Sequence, residues 1–311
     1  VRLPRVYLIQ PARRTVQLLV LLFLMFTAFF SMYGVLKHHG LLIRMDVRFF
    51  QAIYYTMDAV AGVFYQSYDE VYSASNVLKG STWVYSIGSL TLADPLAALS
   101  HAAATRTISL AIAAAAAAPL VFTLFFGRAF CGWICPMNTL LEALDWVRGR
   151  VSFLDVSFSR KTKYYLLGGA LLLAMMGAPL IPLVYPPLII GREIYNYVFY
   201  LGFGSGALFL LGIAVFELFV SRRAWCRYFC PGGALLSLLG SRAPLGLRRD
   251  EEACSHKTCM ECREACMLGL DPVSGRDMRE CSRCGQCILH CPEMALGYSL
   301  SMRWVGNDKK N

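Results

Sequence analysis

Four apolar runs dominate the chain, at about Val16–Leu36, Thr107–Phe126, Tyr164–Val184 and Tyr197–Val220. Each comes close to the roughly 20 helical residues that cross a hydrocarbon layer of about 30 Å. Pro119, Pro179 and Pro182 sit in or near these runs. Membrane helices tolerate proline where neighbours re-satisfy the freed backbone groups. Hydrophobic residues make up 57% of the 311, above the share of about one half in a soluble domain. The excess is uneven: apolar runs fill 16–240, whereas charges and cysteines crowd 241–311. The chain therefore divides into a short N-terminal segment (1–15), a membrane domain (16–240) and a small soluble C-terminal domain (241–311).

Charge orients the runs. Arg13 and Arg14 precede the first, Arg148, Arg160, Lys161 and Lys163 lie between the second and third, and Arg222, Arg223, Arg227, Arg248 and Arg249 follow the fourth. The opposite side holds Lys37, Arg44, Arg48 and Lys79 in one long loop and Arg192 in a short one. The positive-inside rule then makes both termini cytoplasmic. The net charge of +10 is thereby accounted for. It is not the basic stripe on a soluble face that nucleic acid requires. No small-residue cleavage site follows the first run, which is read as a retained anchor. The long outer segment, 37–105, is rich in aromatics with scattered charge. It reads as an amphipathic helix lying along the membrane or as a folded cap.

A repeat appears at an offset of 95 residues: GRAFCGWICPMNTLL (127–141) matches RRAWCRYFCPGGALL (222–236). Arg128 aligns with Arg223, Cys131 with Cys226, Cys135 with Cys230 and Pro136 with Pro231. Each copy follows a pair of runs, which implies two parallel repeats about an axis along the membrane normal. The thiol pairs Cys131/Cys135 and Cys226/Cys230 would face each other across it. In a helix, i and i+4 share a face, and the proline suits the first turn of a following helix. The four thiols can ligate a further iron–sulfur cluster, act as redox or regulatory thiols, or line the contact between repeats. Disulfides are disfavoured in a reducing cytoplasm.

The C-terminal cysteines are more specific. Cys281, Cys284, Cys287 and Cys291 have the spacing C-x2-C-x2-C-x3-C followed by Pro292, the bacterial [4Fe–4S] run whose fourth cysteine serves the other cluster. Cys254, Cys259, Cys262 and Cys266 form a second run with a longer first gap and Met267 in place of proline. Its first three cysteines also match plant-type [2Fe–2S] spacing. The neighbouring run favours two cubanes: Cys254, Cys259, Cys262 and Cys291 for one, Cys281, Cys284, Cys287 and Cys266 for the other. Zinc also takes cysteine tetrads, but interleaved runs are an unusual zinc pattern. Neither G-x-G-x-x-G nor C-x-x-C-H occurs, so no dinucleotide or c-type haem motif is visible.

Other polar groups invite two readings. His38 and His39 can handle protons or ligate haem, or simply cap a helix; His101 stands before the second run. His256 and His290 lie within the cluster motifs. Glu217, near the inner end of the fourth run, is a functional candidate unless Arg222 or Arg223 pairs with it. Trp133 and Trp225 read first as interfacial anchors.

Four spans, two C-x3-C-P motifs and a tail with two cluster motifs resemble the NapH-type membrane polyferredoxins, together with MauN-type proteins and the membrane half of NosR. The resemblance covers roughly 107–300. It implies a mainly α fold: a four-helix transmembrane bundle of two parallel repeats, with a small C-terminal two-[4Fe–4S] ferredoxin-like domain. It implies a multi-pass protein of the bacterial inner membrane that passes electrons between the quinol pool and a partner redox protein, ferredoxin-like or cytochrome, in a respiratory complex. Two other functions fit the same motifs. One is an assembly or maturation factor for a metalloenzyme. The other is a subunit that docks electrons onto a larger redox complex without touching quinone.

Overall fold

The computed structural model describes residues 3–38, 48–64, 78–80, 84–87, 89–149, 156–255, 259–275 and 277–300. The first apolar run becomes helix α1, Leu3–His38. Within it, Leu8–Gly34 is the one helix among the described residues long and apolar enough to cross a membrane. Its two faces differ. Leu18, Leu19, Leu22 and Phe26 are exposed, whereas Ala28, Phe29, Met32 and Tyr33 are buried. The buried face packs against Tyr54 and Val198.

The outer segment is more varied than one amphipathic helix. Helix α2, Arg48–Phe64, is followed by a three-stranded antiparallel sheet, β1 (Leu78–Gly80), β2 (Val84–Ile87) and β3 (Leu90–Ala93). The sheet packs along α1 and the fourth helix rather than standing apart. Helix α3, Pro95–Thr105, comes next, its Leu96, Ala97, Ala98 and Ser100 buried. Asp94 caps it, accepting from the N–H groups of Leu96 and Ala97 at 2.9 Å, and Pro95 occupies the first turn, where its missing N–H costs nothing.

The other three runs are broken differently from the expectation. The second yields α4, Leu110–Phe126. The third yields α6, Thr162–Met175, which stops where Gly177 adopts a φ of +89°; Pro179 follows, and Tyr185 is reached through a short turn, Ile181–Val184. The expected fourth span, Tyr197–Val220, begins inside α7 (Pro186–Tyr200), breaks at Leu201 with φ +53° and resumes as α8, Ser205–Phe219. The short amphipathic helices after the cysteine motifs are α5, Pro136–Arg148, and α9, Pro231–Leu239. A plain four-helix bundle is thus not what forms. Each repeat adds a short interior helix, α3 or α7.

These helices obey the repeat. With α1 matched to α6, α3 to α7, α4 to α8 and α5 to α9, each packed pair has its mate: α1 with α7 and α6 with α3, α8 with α5 and α4 with α9, α3 with α4 and α7 with α8. The interior caps meet where the halves join, the Tyr185 hydroxyl donating to Asp94 Oδ2 at 3.2 Å. Both α4 and α8 are apolar, and Leu110, Val121, Leu124 and Phe125 on one, with Leu208, Leu211, Val215 and Phe219 on the other, point outward.

The C-terminal domain is closed by two antiparallel strands, β4 (Leu245–Arg249) and β5 (Leu296–Leu300), with Leu247 opposite Tyr298. Between them, helical turns Glu261–Glu264 and Gln286–Leu289 each carry one cysteine of a run, Cys262 and Cys287. Leu247, Met278, Ile288 and Leu296 form the core, with Cys262 buried among them.

Candidate iron–sulfur centres and the paired cysteine turns

All twelve cysteines are free of disulfides. Cys266, Cys281, Cys284 and Cys287 line one cavity, whose remaining wall is largely apolar: Leu247, Leu268, Leu270, Pro272, Met278 and Tyr298. Cys266 comes from the first run and the other three from the second. The Cys287 thiol lies within electrostatic reach of Cys281, Cys284 and Cys266. The complementary set also gathers, Cys262 feeling Cys291, Cys259 and Cys254. Met267, in the place of the usual proline, receives an N–H from Arg223 on its sulfur at 3.2 Å.

Burial governs the thiols. Desolvation pushes Cys281 and Cys262 up to about 11, with neighbouring cysteines adding to the rise. At neutral pH such groups stay protonated until a metal draws off the proton, because the thiolate is the ligand form. Backbone donors already point at sulfur, with Leu270 N–H 3.3 Å from Cys266 Sγ. Among the described residues, no three His, Cys, Asp or Glu side chains converge tightly enough to grip a single metal ion.

The C-x3-C-P turns follow the expected local chemistry. Ala129–Trp133 is a helical turn and Trp225–Phe229 a π-helical one. Cys135 and Cys230 are the caps of α5 and α9, and Pro136 and Pro231 open those helices. Gly233 N–H donates to Cys230 Sγ at 3.3 Å. The repeat brings the pairs together: Cys135 feels Cys131 and Cys230, and Cys226 feels Cys230 and Cys135. Burial raises Cys230 to about 11, assisted by Cys131, which argues against Cys230 as a free reactive thiolate.

Both turns pack against the loops that carry Cys266 and residues 281–284. Trp133 Nε1 donates to the Arg283 carbonyl at 2.9 Å. Gly132 lies so close to the Ser282 carbonyl that an added Cβ would stand 2.3 Å from its oxygen. On the other side Arg227 of the second turn lies against Gly269, where an added Cβ would stand 2.7 Å from its guanidinium, and Arg160, just before α6, donates to the carbonyls of Leu268 and Gly269 at 3.0 and 2.8 Å. From α1, Gln10 Nε2 donates to the Cys284 carbonyl at 2.7 Å. Trp133 is therefore a contact between the two parts of the chain, not merely an anchor at an interface.

Buried carboxylates hold the arrangement. Glu142 on α5 accepts from Arg13, Arg14 and Asn138. Arg222 and Arg223 pair with Asp145, not with Glu217. Glu217 instead accepts the N–H groups of Ala224 and Trp225 at 3.0 and 2.7 Å, capping the turn that carries Cys226. Glu280, next to Cys281, accepts from Arg128, Lys163 and Tyr164. Sequence reasoning missed Glu280, and only its place beside Cys281 hinted at it. His290 is exposed, its Nδ1 2.9 Å from the Gln286 carbonyl, and His101 is exposed. His38 ends α1, while His39 and His256 lie outside the described residues.

Comparison with known proteins agrees with this layout. A family model described as a 4Fe-4S binding domain matches residues 108–153 and 203–248, the two C-x3-C-P repeats. The ferredoxin-type protein NapH of Escherichia coli is 30% identical over 231 residues, covering 70% of this chain and 77% of that protein. The NapH of Haemophilus influenzae is 28% identical, covering 68% of this chain and 77% of that protein. The methylamine utilization ferredoxin-type protein MauN of Paracoccus denitrificans is 30% identical over 210 residues, covering 67% of this chain and 63% of that protein. No solved structure matches. The NapH-type relatives point to a membrane protein, and the chain is an iron–sulfur electron-transfer protein of the NapH/MauN type: it belongs to the NapH family of ferredoxin-type proteins.

Proposed function

We propose that this protein exchanges electrons between the quinol pool and a partner redox protein at the inner face of a bacterial cytoplasmic membrane. The observation that carries the reading is the cavity lined by Cys266, Cys281, Cys284 and Cys287, with both C-x3-C-P turns packed against the loops that carry these cysteines. These four cysteines hold one [4Fe–4S] cluster, and Cys254, Cys259, Cys262 and Cys291 hold the other. Bound clusters supply single-electron transfer, tuned by hydrogen bonds to sulfur and by exposure. A cubane spreads its thiolates more widely than one zinc ion with bonds of about 2.3 Å, which suits thiols that gather without converging on a point. Cys131, Cys135, Cys226 and Cys230 are the ligands of a third centre between the repeats. The exposed apolar faces of α1, α4 and α8 meet lipid, and both termini are cytoplasmic.

The test uses the full chain purified in lipid with its native partners. Iron and acid-labile sulfide are counted, and the clusters are followed by electron paramagnetic resonance while a quinol analogue is added. Reduction by the analogue supports the reading. Clusters that respond to a soluble donor but never to quinol would sink the quinol part, and zinc in the cavity would sink the rest.

A further inference from the structure

The two repeats treat one position differently. Glu142 on α5 and Ser237 on α9 stand 95 residues apart, at matching places after their C-x3-C-P motifs. In the first repeat the carboxylate is internal, and Glu142 ties Arg13 of α1 to α5. In the second, Ser237 offers no charge, yet Arg128 (2% exposed) and Lys163 (1% exposed) are buried nearby. Lys163 belongs to α6, the counterpart of α1. Buried cations require a paired anion to offset their lost hydration. That anion arrives from the C-terminal domain. Glu280 accepts from Arg128, Lys163 and Tyr164, with Ser237 Oγ donating at 3.1 Å. Arg128 also donates to the Glu280 carbonyl at 3.1 Å, and Tyr164 Oη and Ser237 Oγ are 2.6 Å apart.

We propose that Glu280 is a positioning residue: it completes the ion cluster that the second repeat lacks, and thereby seats the Cys281 loop on the Arg128–Trp133 turn. The domain is then a fixed part of the molecule, not a carrier that swings on its connection to α9. Arg128 stands three residues before Cys131, and Glu280 one before Cys281, so the latch links the turn that bears the paired thiols to the loop that bears the cavity's cysteines. The close approach of Gly132 to Ser282 and the Trp133–Arg283 hydrogen bond depend on that seat.

The experiment compares the cluster-loaded full chain in lipid nanodiscs with Glu280→Gln and with the double variant Ser237→Glu/Glu280→Gln. In Glu280→Gln, amide exchange at 281–284 and 129–133 rises about tenfold or more as the docked unit opens locally. The double variant returns a carboxylate to α9, in the place Glu142 holds on α5. It restores yield and the protection of α6 and α9, while exchange at 281–284 stays fast. With iron content unchanged, reduction by a quinol analogue slows about tenfold through misplacement, whereas dithionite reduces both variants at the wild-type rate. Wild-type protection at 281–284 in Glu280→Gln, or its recovery in the double variant, would overturn the proposal. The reduction arm rests on the electron-transfer reading, but the exchange arm does not. If wild-type clusters ignore the quinol analogue, that reading fails and exchange still decides the latch.

Discussion

Replacing Glu142 by leucine should cost more than any other single change on α5. Its carboxylate is nearly fully buried, and so is the Arg13 guanidinium it pairs with. Stripping a buried cation of its partner typically costs about 3–5 kcal/mol. Arg14, the second cation on this carboxylate, is 54% exposed, so its loss adds only about 0–1 kcal/mol. Asn138 loses an acceptor at 2.8 Å but keeps the Gly132 carbonyl at 3.3 Å, which holds its share near the lower end of about 1–3 kcal/mol. These effects overlap, and a total of about 4–6 kcal/mol is expected against a usual stability of about 5–15 kcal/mol. Adding Arg13→Met removes the orphaned charge as well. Two apolar side chains in place of a buried pair are close to neutral, so the double variant should recover about 3 kcal/mol. Equilibrium unfolding in mixed micelles, run as a double-mutant cycle, measures the coupling. Simple additivity of the two single changes would refute the claim that burial, and not mere proximity, makes this pair matter.

Serine at Cys266 should abolish the signal of the cluster held with Cys281, Cys284 and Cys287, whereas serine at Cys291 should abolish only the other; resonance spectra of the two variants separate these outcomes. Gly132→Ala forces a Cβ to 2.3 Å from the Ser282 oxygen and should destabilise docking by about 1–3 kcal/mol, as overpacking does, visible as raised exchange at 281–284. Asp271 is partly buried, which opposes ionisation, but N–H groups of Ser274 and Val273 donate to its carboxylate and hold its pKa below the usual value. A depressed folded pKa contributes stability that is complete above the unfolded value of about 3.9 and is lost as pH falls through the folded one. Thermal unfolding should therefore begin to lose that increment as pH falls toward about 4, and Asp271→Asn should flatten that part of the curve.

The repeat was legible because arginine, cysteine and proline recur at a fixed offset, and local rules gave the rest: Pro136 and Pro231 begin helices, and Cys135 and Cys230 cap them. The interior helices were hidden for a physical reason. An apolar run long enough to span does not announce where a left-handed residue will break it, and Leu201, with φ +53°, carries no turn signal in its side chain. The sheet of 78–93 escaped because its strands are three or four residues long, too short to show alternation. Glu217 was visible as an intramembrane acid, but its partners were not. Asp145, brought close by packing of α5 on α8, takes the arginines, and Glu217 is left to satisfy the first N–H groups of the next turn. Such choices depend on contacts across the chain, which periodicity does not report.

The departures from the repeat are as informative as the matches. Along α5 stand Asn138, Glu142 and Asp145; at the matching positions the second repeat has Gly233 and Ser237 on α9 and Gly240 at its end. In the first repeat these side chains fill the site, Asn138 and Asp145 meeting Arg223. In the second the small residues leave room: a Cβ on Gly233 would lie 2.8 Å from the Arg128 guanidinium, and one on Gly240 would lie 2.5 Å from the Gly127 backbone. Arg128 thus turns into the hollow of α9 and meets Glu280 there. Two equal repeats would offer two equal seats to a single C-terminal domain, and its orientation over the cysteine turns would be undetermined. Filling one face and hollowing the other removes that degeneracy, so the domain carrying Cys281 can close on one side of the pseudo-twofold axis only.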